Sequence, residues 1–239
     1  MNILVTGANG FIGKNLVRFL RKNTRYNVYE FSRENLLKEL DELIDRINIV
    51  YHFAGINKKI NNDDYLKGNI NLTKKLSQIF KKNSNLIIYY ASSIQVNKNN
   101  EYGNSKKECE NILLELEKKS GNKVYILRLP GIFGPGCKPN YNSVVATFCK
   151  NTVNKEKLKI IDPEKEIELV FVEDLCEQLI CLINSKVVKN RFIKIKNKNR
   201  LKIKELESKI KSFQNGLIDL SQFDDLDNKL YRTYLSHKI

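Results

Sequence analysis

Three side chains near the middle of the sequence have types and spacing suited to handing a proton to a carbonyl oxygen: Ser93, Tyr102 and Lys106. Tyr102 and Lys106 stand four residues apart in Tyr102-Gly103-Asn104-Ser105-Lys106, so on a helix they share a face. A free tyrosine titrates near about pH 10. An ammonium beside it stabilises the phenolate and brings proton exchange within reach at neutral pH. Ser93 closes the run Ala91-Ser92-Ser93 at the end of an apolar stretch, where its hydroxyl can hydrogen-bond a substrate carbonyl.

A second constellation opens the chain. Gly7, Gly10 and Gly13 lie in Thr6-Gly7-Ala8-Asn9-Gly10-Phe11-Ile12-Gly13, directly after a strand-like run and before a helical pattern. Glycines in that context allow a tight turn and let the backbone approach a pyrophosphate, which the helix N-terminus stabilises. Gly7, Asn9, Gly10, Phe11, Ile12 and Gly13 are therefore candidates for dinucleotide binding. The end of the next strand reads Glu30-Phe31-Ser32-Arg33. An acidic residue there binds the adenine-ribose hydroxyls of NAD, whereas a basic one accepts the 2′-phosphate of NADP. A strand ending at Phe31 places Ser32 and Arg33 for a phosphate, which suits the fork of arginine. One ending a residue earlier offers Glu30 to the ribose instead. NADP is favoured over NAD.

These groups need a scaffold, and the hydrophobic pattern supplies one. Strand-like runs at 2–6, 28–31, 47–53, 86–91 and 124–129 alternate with helical patterns at 11–22, 34–44, 64–82 and 102–119. Such alternation predicts an α/β fold of Rossmann type, a doubly wound parallel sheet with right-handed crossovers. After Pro130 the rhythm breaks into a loop rich in Gly, Pro and Asn, then helix at 143–153, strand near 168–172 and 192–195, and helices from 173, over 203–213 and near the C-terminus. A single domain over 1–239 is expected, with about 1–135 mainly binding dinucleotide. The small C-terminal substrate-binding lobe, about 136–239, sends return segments to the core.

Composition narrows the classes. The 239 residues, 41% hydrophobic, can bury a sizeable core. No apolar run approaches the roughly 20 residues that span a bilayer, and the N-terminus lacks a signal-peptide pattern. Five cysteines without a C-x-x-C pair and only two histidines, His52 and His237, argue against a disulfide framework and a metal site. A reducing cytoplasm is the expected home. The net charge of +15 comes from lysines scattered along the whole chain, including the stretch 187–204, and reads as compositional bias. No dedicated nucleic-acid or membrane partner is expected, although a positive field suits an anionic substrate.

Thr6–Gly13, Tyr51-His52-Phe53-Ala54-Gly55, Tyr65-x-x-x-Asn69, Ala91-Ser92-Ser93 and Tyr102-x-x-x-Lys106 together resemble the extended short-chain dehydrogenase/reductase (NAD-dependent epimerase/dehydratase) superfamily. The resemblance implies that Phe53, Ala54, Gly55 and Asn69 lie on the cofactor side. It also implies that Ser93, Tyr102 and Lys106 are catalytic, with Tyr102 and Lys106 touching the cofactor as well. His52 is expected to be a strand residue, neither ligand nor base. In the second half, the segment 137–149, then Glu168-Leu169-Val170-Phe171-Val172-Glu173-Asp174-Leu175, and finally Leu230-Tyr231-Arg232-Thr233-Tyr234, resemble the reductase domain of capsular-polysaccharide enzymes that make UDP-N-acetyl-L-fucosamine.

That likeness implies NADPH-dependent reduction of the C4 ketone of a UDP-2-acetamido-2,6-dideoxy-4-keto-hexose to an L-talose-type sugar, in capsule or O-antigen biosynthesis. Ser93, Gln95, Gly131, Lys138, Asn140, Tyr141 and Asn142 are the expected substrate contacts. Gly131 departs from the asparagine that relatives commonly carry there. Longer members continue into a metal-bearing cupin that epimerises C3. The sequence stops about where it would begin, so no epimerase activity and no metal are expected, and a separate cupin-type epimerase is a candidate partner. A homodimer through the helices at 64–82 and 102–119 is also expected.

Three rivals stand beside this reading. A 4,6-dehydratase needs an acid and a base after the catalytic hydroxyl, but Ile94 and Gln95 follow Ser93. A 4-epimerase typically recycles a tightly held NAD, which conflicts with Ser32-Arg33. A non-catalytic NADP-binding regulatory or RNA-associated protein would not need Ser93, Tyr102 and Lys106 together.

Overall fold

Buried strands of an α/β sheet read as continuous apolar runs, because helices cover both faces. The first such run forms β1 (Asn2–Thr6), followed by α1 (Phe11–Asn23), β2 (Asn27–Phe31), α2 (Leu37–Leu43) and β3 (Ile49–His52). A π-helical turn (Leu66–Asn71) leads into α3 (Leu72–Phe80), then β4 (Ile87–Ser93), a 3-10 turn (Ile94–Asn97), α4 (Glu101–Ser120) and β5 (Lys123–Leu129). Next come β6 (Gly131–Phe133), α5 (Val144–Val153), β7 (Glu166–Phe171), α6 (Val172–Asn184), β8 (Phe192–Ile193), β9 (Asn199–Lys202), α7 (Ile203–Ser212) and α8 (Asp225–Leu235). The structure, a computed structural model, describes residues 1–184, 190–214 and 220–238. Residues 187–189 of the lysine-rich stretch lie outside the described residues.

The chain forms two units, Met1–Leu129 with Gln178–Ile195, and Pro130–Glu177 with Lys196–Ile239. The first holds a six-stranded sheet in the order β2-β1-β3-β4-β5-β8, parallel throughout. This is the doubly wound sheet that the alternating pattern predicts. The strand order reverses between β1 and β3, so the crevice at their carboxyl ends is the topological switch point, where such sheets bind ligands.

Strand alternation sorts the side chains by face. Val50, Ile88, Val124 and Ile126 pack with Leu76, Ile79 and Phe80 of α3 and Leu113 and Leu116 of α4. On the opposite face the neighbouring residues Tyr51, Tyr89 and Tyr125 form a stacked ladder with centroids 5.1 and 5.3 Å apart. The Tyr51 and Tyr89 hydroxyls donate to the carbonyls of Leu179 and Leu182, which satisfies two phenols next to the core.

The helix expected over 34–44 is shorter, and the one expected over 64–82 begins as a π-helical turn. Two short strands escaped the pattern. β6 and β9 join β7 in a separate three-stranded sheet, β6-β7-β9, parallel on one side and antiparallel on the other. The second unit packs its own core from Phe133, Phe148, Phe171, Leu206, Ile210 and Leu230. At three and four residues, β6 and β9 carry too little periodicity to be read from sequence.

A polar chain crosses the core of the first unit. Thr6 Oγ1 meets His52 Nδ1 at 2.8 Å, and His52 Nε2 meets Thr73 Oγ1 at 3.2 Å. Thr73 Oγ1 then donates to Cys109 Sγ at 3.4 Å. His52 is fully buried on β3, the strand position expected for it. Burial, and after it the Lys106 charge, lowers its pKa from 6.5 to about 3. The unfolded chain therefore takes up this proton near pH 6.5 and the native one does not until about 3. Stability is fully present above 6.5 and falls as the pH drops through that window, at about 1.4 kcal/mol per unit. Urea unfolding at pH 7 and pH 5 is expected to show wild type losing about 2 kcal/mol more than His52→Gln. Equal losses in both would remove His52 as the source.

Candidate active site

The glycine turn is built by close backbone packing. Gly7 adopts φ +71°, and a Cβ on it would lie 2.6 Å from the Ala54 nitrogen. A Cβ on Gly13 would lie 2.3 Å from the Gly7 carbonyl oxygen. The turn is tied to the end of β2, since the Phe31 carbonyl accepts from the Gly7 and Ala8 amides at 2.8 and 3.3 Å. It is tied to the loop after β3 through Thr6, whose carbonyl accepts from the Phe53 amide and whose Oγ1 accepts from the Ala54 amide. Gly10 is the N-cap of α1, so no side chain caps this helix, and its first turn holds no acidic residue. Asn9 and Gly10 are exposed, Phe11 and Ile12 half-buried. A helix start built this way offers amides and a positive dipole end to an anion. These residues fit a dinucleotide pyrophosphate.

At the end of β2, Asn35 organises the turn. Its Oδ1 accepts from the Ser32 amide and hydroxyl at 2.9 and 3.3 Å, and the Glu34 amide donates to Ser32 Oγ. Arg33 is exposed and, among the described residues, pairs with no carboxylate. Glu30 is engaged elsewhere, 2.7 Å from Arg21 of α1. The sequence left Glu30 and Ser32-Arg33 as alternatives; the structure gives Glu30 a partner.

Ser93 is the last residue of β4 and caps the following 3-10 turn, accepting from the Gln95 amide at 3.2 Å. A hydroxyl that accepts one bond retains its proton to donate. The turn in which Ile94 and Gln95 lie packs against the start of α4. A Cβ on Gly103 would lie 2.1 Å from the Gln95 carbonyl oxygen, so glycine here lets the two backbones touch. Asn100 caps α4 by accepting from the Gly103 amide at 2.8 Å. Tyr102 lies two residues after that cap, half-buried, with its ring 5.7 Å from the ring of Tyr65.

Lys106, one helical turn on, is only 7% exposed, and its ammonium sits 4.6 Å from the Tyr90 ring centroid. Burial lowers its pKa to about 8, with Cys109 and Glu110 opposing the drop. A Cβ on Gly55 would lie 3.8 Å from Lys106 Nζ, which puts the Ala54-Gly55 segment against the lysine. Asn69 holds that segment in place. Its Oδ1 accepts from the Ile56 amide at 2.6 Å, and its Nδ2 donates to the Ile56 carbonyl and to Ser105 Oγ, each at 3.0 Å. Asn69 is thus a brace between the loop after β3 and α4.

The other expected contacts lie in the second unit. Gly131 begins β6, where a Cβ would lie 3.0 Å from Leu169 Cδ2. Lys138, Asn140, Tyr141 and Asn142 are exposed. Asn140 takes φ +55°, a left-handed conformation asparagine tolerates, and its amide donates to Thr147 Oγ1 at 2.9 Å. Ser143 then caps α5.

Sequence reasoning passed over Glu110, Arg128, Ser92 and Tyr90, which surround Lys106 and the end of β4. The available signal was a glutamate four residues after Lys106, continuing the stripe of Tyr102 and Lys106 on the buried face of an amphipathic helix. All five cysteines are free, four of them buried. Among the described residues, no helix is long and apolar enough to cross a membrane.

Comparison with known proteins follows the same lines. The model of the NAD dependent epimerase/dehydratase family matches residues 3–195. A UDP-2-acetamido-2,6-beta-L-arabino-hexul-4-ose reductase of Pseudomonas aeruginosa is 35% identical over 240 residues, covering 99% of this chain and 64% of its own length. The capsular polysaccharide assembling protein CapF from Staphylococcus aureus has a crystal structure that matches with a TM-score of 0.86 at 32% identity, over 99% of this chain and 66% of that one. This chain thus spans just under two thirds of the length of each of these relatives. The UDP-glucuronic acid 4-epimerase of Bacillus cereus, solved with UDP-glucuronic acid and NAD, shares the fold at 21% identity, with a TM-score of 0.86 over 100% of this chain and 99% of that one. With the family model covering most of its length and a 35% identical relative aligned along nearly all of it, the chain belongs to the NAD dependent epimerase/dehydratase family.

Proposed function

We propose that this chain is an NADPH-dependent reductase of the C4 ketone of a UDP-2-acetamido-2,6-dideoxy-4-keto-hexose, giving an L-talose-type amino sugar for capsule or O-antigen assembly in the cytoplasm. The observation that carries the reading is the placement of a buried Lys106 one turn after Tyr102, on a helix whose start packs against the turn that Ser93 caps. Support for the substrate comes from the relative named as a UDP-hexul-4-ose reductase. Two features separate reduction from its rivals. Ile94 and Gln95 fill the turn after Ser93, and neither side chain can exchange a proton as dehydration requires. Glu30 is held by Arg21 while Arg33 stands exposed, which favours a 2′-phosphate over ribose hydroxyls.

The glycine turn and the start of α1 would hold the pyrophosphate of a dinucleotide, Ser32 and Arg33 its 2′-phosphate, and Lys106 its ribose. When bound, that group supplies the hydride. The chain's own side chains handle the rest. Ser93 donates a hydrogen bond to the substrate carbonyl and orients it, which stabilises the charge that develops on oxygen. Tyr102 gives its phenolic proton to that oxygen as general acid, and the Lys106 ammonium stabilises the phenolate left behind. By the resemblance, Gln95, Gly131, Lys138, Asn140, Tyr141 and Asn142 are assigned to the nucleotide sugar. A homodimer and a separate cupin-type epimerase acting on the product complete the proposal.

Two measurements test it. NADPH oxidation followed with a UDP-4-keto sugar is expected to fall about 10²–10⁴-fold in Tyr102→Phe, while NADPH fluorescence titration stays near wild type. Normal turnover in this variant would overturn the mechanism. Arg33→Ala is expected to raise KM for NADPH about tenfold or more and leave KM for NADH nearly unchanged, because a charge-assisted phosphate contact is lost. Equal effects on both cofactors would remove Arg33 from the 2′-phosphate site.

A further inference from the structure

The carboxylate of Glu110 is fully buried on α4, one helical turn past Lys106 and two past Tyr102. Burying a charge in that position is costly unless it is paired and hydrogen-bonded. Glu110 is both. Arg128 Nε and Nη2 donate to its two oxygens at 2.9 and 2.8 Å, and Ser92 Oγ donates at 2.6 Å. The two donors are not scattered: Ser92 on β4 and Arg128 on β5 are register partners in the parallel sheet. A single carboxylate thus grips two adjacent strands at one level, and that level is the residue before Ser93.

We propose that Glu110 is a positioning residue of the active site: it clamps the helix that carries Tyr102 and Lys106 to the strand that ends in Ser93, and, one helical turn from Lys106, it is a buried anion that favours the ammonium form. This deepens the reading of the site as a reductase and rests on it for the roles of Tyr102 and Ser93.

The charge balance around Lys106 supports the second half. From α4 itself come Cys109 and Glu110, which favour the ammonium. From β4 comes the face of Tyr90, whose hydroxyl is tied to Cys109 and pushed well above its ordinary range by burial. From β3 comes His52, held neutral at physiological pH. Glu110 in turn feels Arg128, Ser92 and, at 3.5 Å, Lys107. Burial pushes its carboxyl up, but these three partners outweigh the effect and leave it below the ordinary glutamate value. Glu110 therefore stays ionised throughout the neutral range. Of the two α4 groups that favour the ammonium, Cys109 and Glu110, Glu110 is the one that Arg128, Ser92 and Lys107 hold ionised.

The test reads Lys106 directly. In the full chain labelled with 15N-lysine, the Lys106 side-chain resonance is assigned by its loss in Lys106→Arg and titrated in wild type and in Glu110→Gln, which keeps the shape and removes the charge. The wild-type midpoint is expected near about 8. In Glu110→Gln it is expected to fall by about one unit. In Glu110→Asp, which keeps the charge on a shorter arm, the midpoint should stay near wild type while kcat for the 4-keto sugar falls about tenfold, since the clamp is loosened. If Glu110→Gln does not fold, the double variant Glu110→Gln/Arg128→Gln, which leaves neither charge unpaired, is titrated instead with the same expectation. An unmoved midpoint in a folded variant lacking the carboxylate overturns the proposal, as does full kcat in Glu110→Asp. The titration needs no substrate. Absence of turnover by wild type would sink the reductase reading and leave the charge-partner half of the inference to be judged by the midpoint alone.

Discussion

The structure depends on keeping a lysine ammonium inside a protein. Lys106 lies one helical turn past Tyr102, the acid of the proposed reaction, and that place is buried. Removing an ammonium from water is opposed by its lost hydration, so the surrounding fold has to supply negative charge and polar contacts at fixed positions. The sheet and helices of the first unit do this with a row of side chains on one face: His52, Tyr90, Ser92 and Arg128, facing Thr73 on α3 and Cys109 and Glu110 on α4. Parallel register makes the row possible, because residues at matching heights on β3, β4 and β5 point to the same side. Apolar packing by Leu76, Leu113, Val124 and their neighbours below this row provides the cohesion that tolerates it.

The opposite requirement holds at the glycine turn, where the fold must leave groups unsatisfied by itself. The start of α1 has neither a capping side chain nor an acidic residue, and the turn before it is compressed against the loop after β3 until no Cβ fits at Gly7. Amides left open to a ligand are a stability cost accepted for binding. Both arrangements meet at the switch point between β1 and β3, because only there do crossovers leave in opposite directions and open a crevice. Thr6 serves both, with one oxygen on the Ala54 amide and on His52. Asn69 plays the equivalent part between the loop after β3 and α4.

The +15 charge has little share in this architecture. Many cations whose partners are visible sit in exposed or half-exposed pairs, as Lys202 and Lys204 do with Glu164. Such pairs contribute little each. The Arg128–Glu110 pair differs because its carboxylate is fully buried and its geometry bidentate.

Local signals in the sequence determined the parallel α/β scaffold, the glycine turn and the Tyr102–Lys106 stripe, since each depends on spacing within one element or across one turn. The ends of those elements, the π-helical start at Leu66 and the short strands β6 and β9 were not legible, because few residues carry too weak a period. At the end of β2 the sequence favoured Ser32-Arg33 and left Glu30 open beside them, and only the fold brings that acid within reach of Arg21 on α1. Glu110 makes the same point more sharply. Its helical spacing from Lys106 was in the sequence, but its meaning was not, since Ser92 and Arg128 lie 18 residues away on either side and converge on it only when β4 and β5 pair. Chemistry carried by neighbours along the chain could be read from the chain; chemistry carried by neighbours across the sheet was decided by the fold.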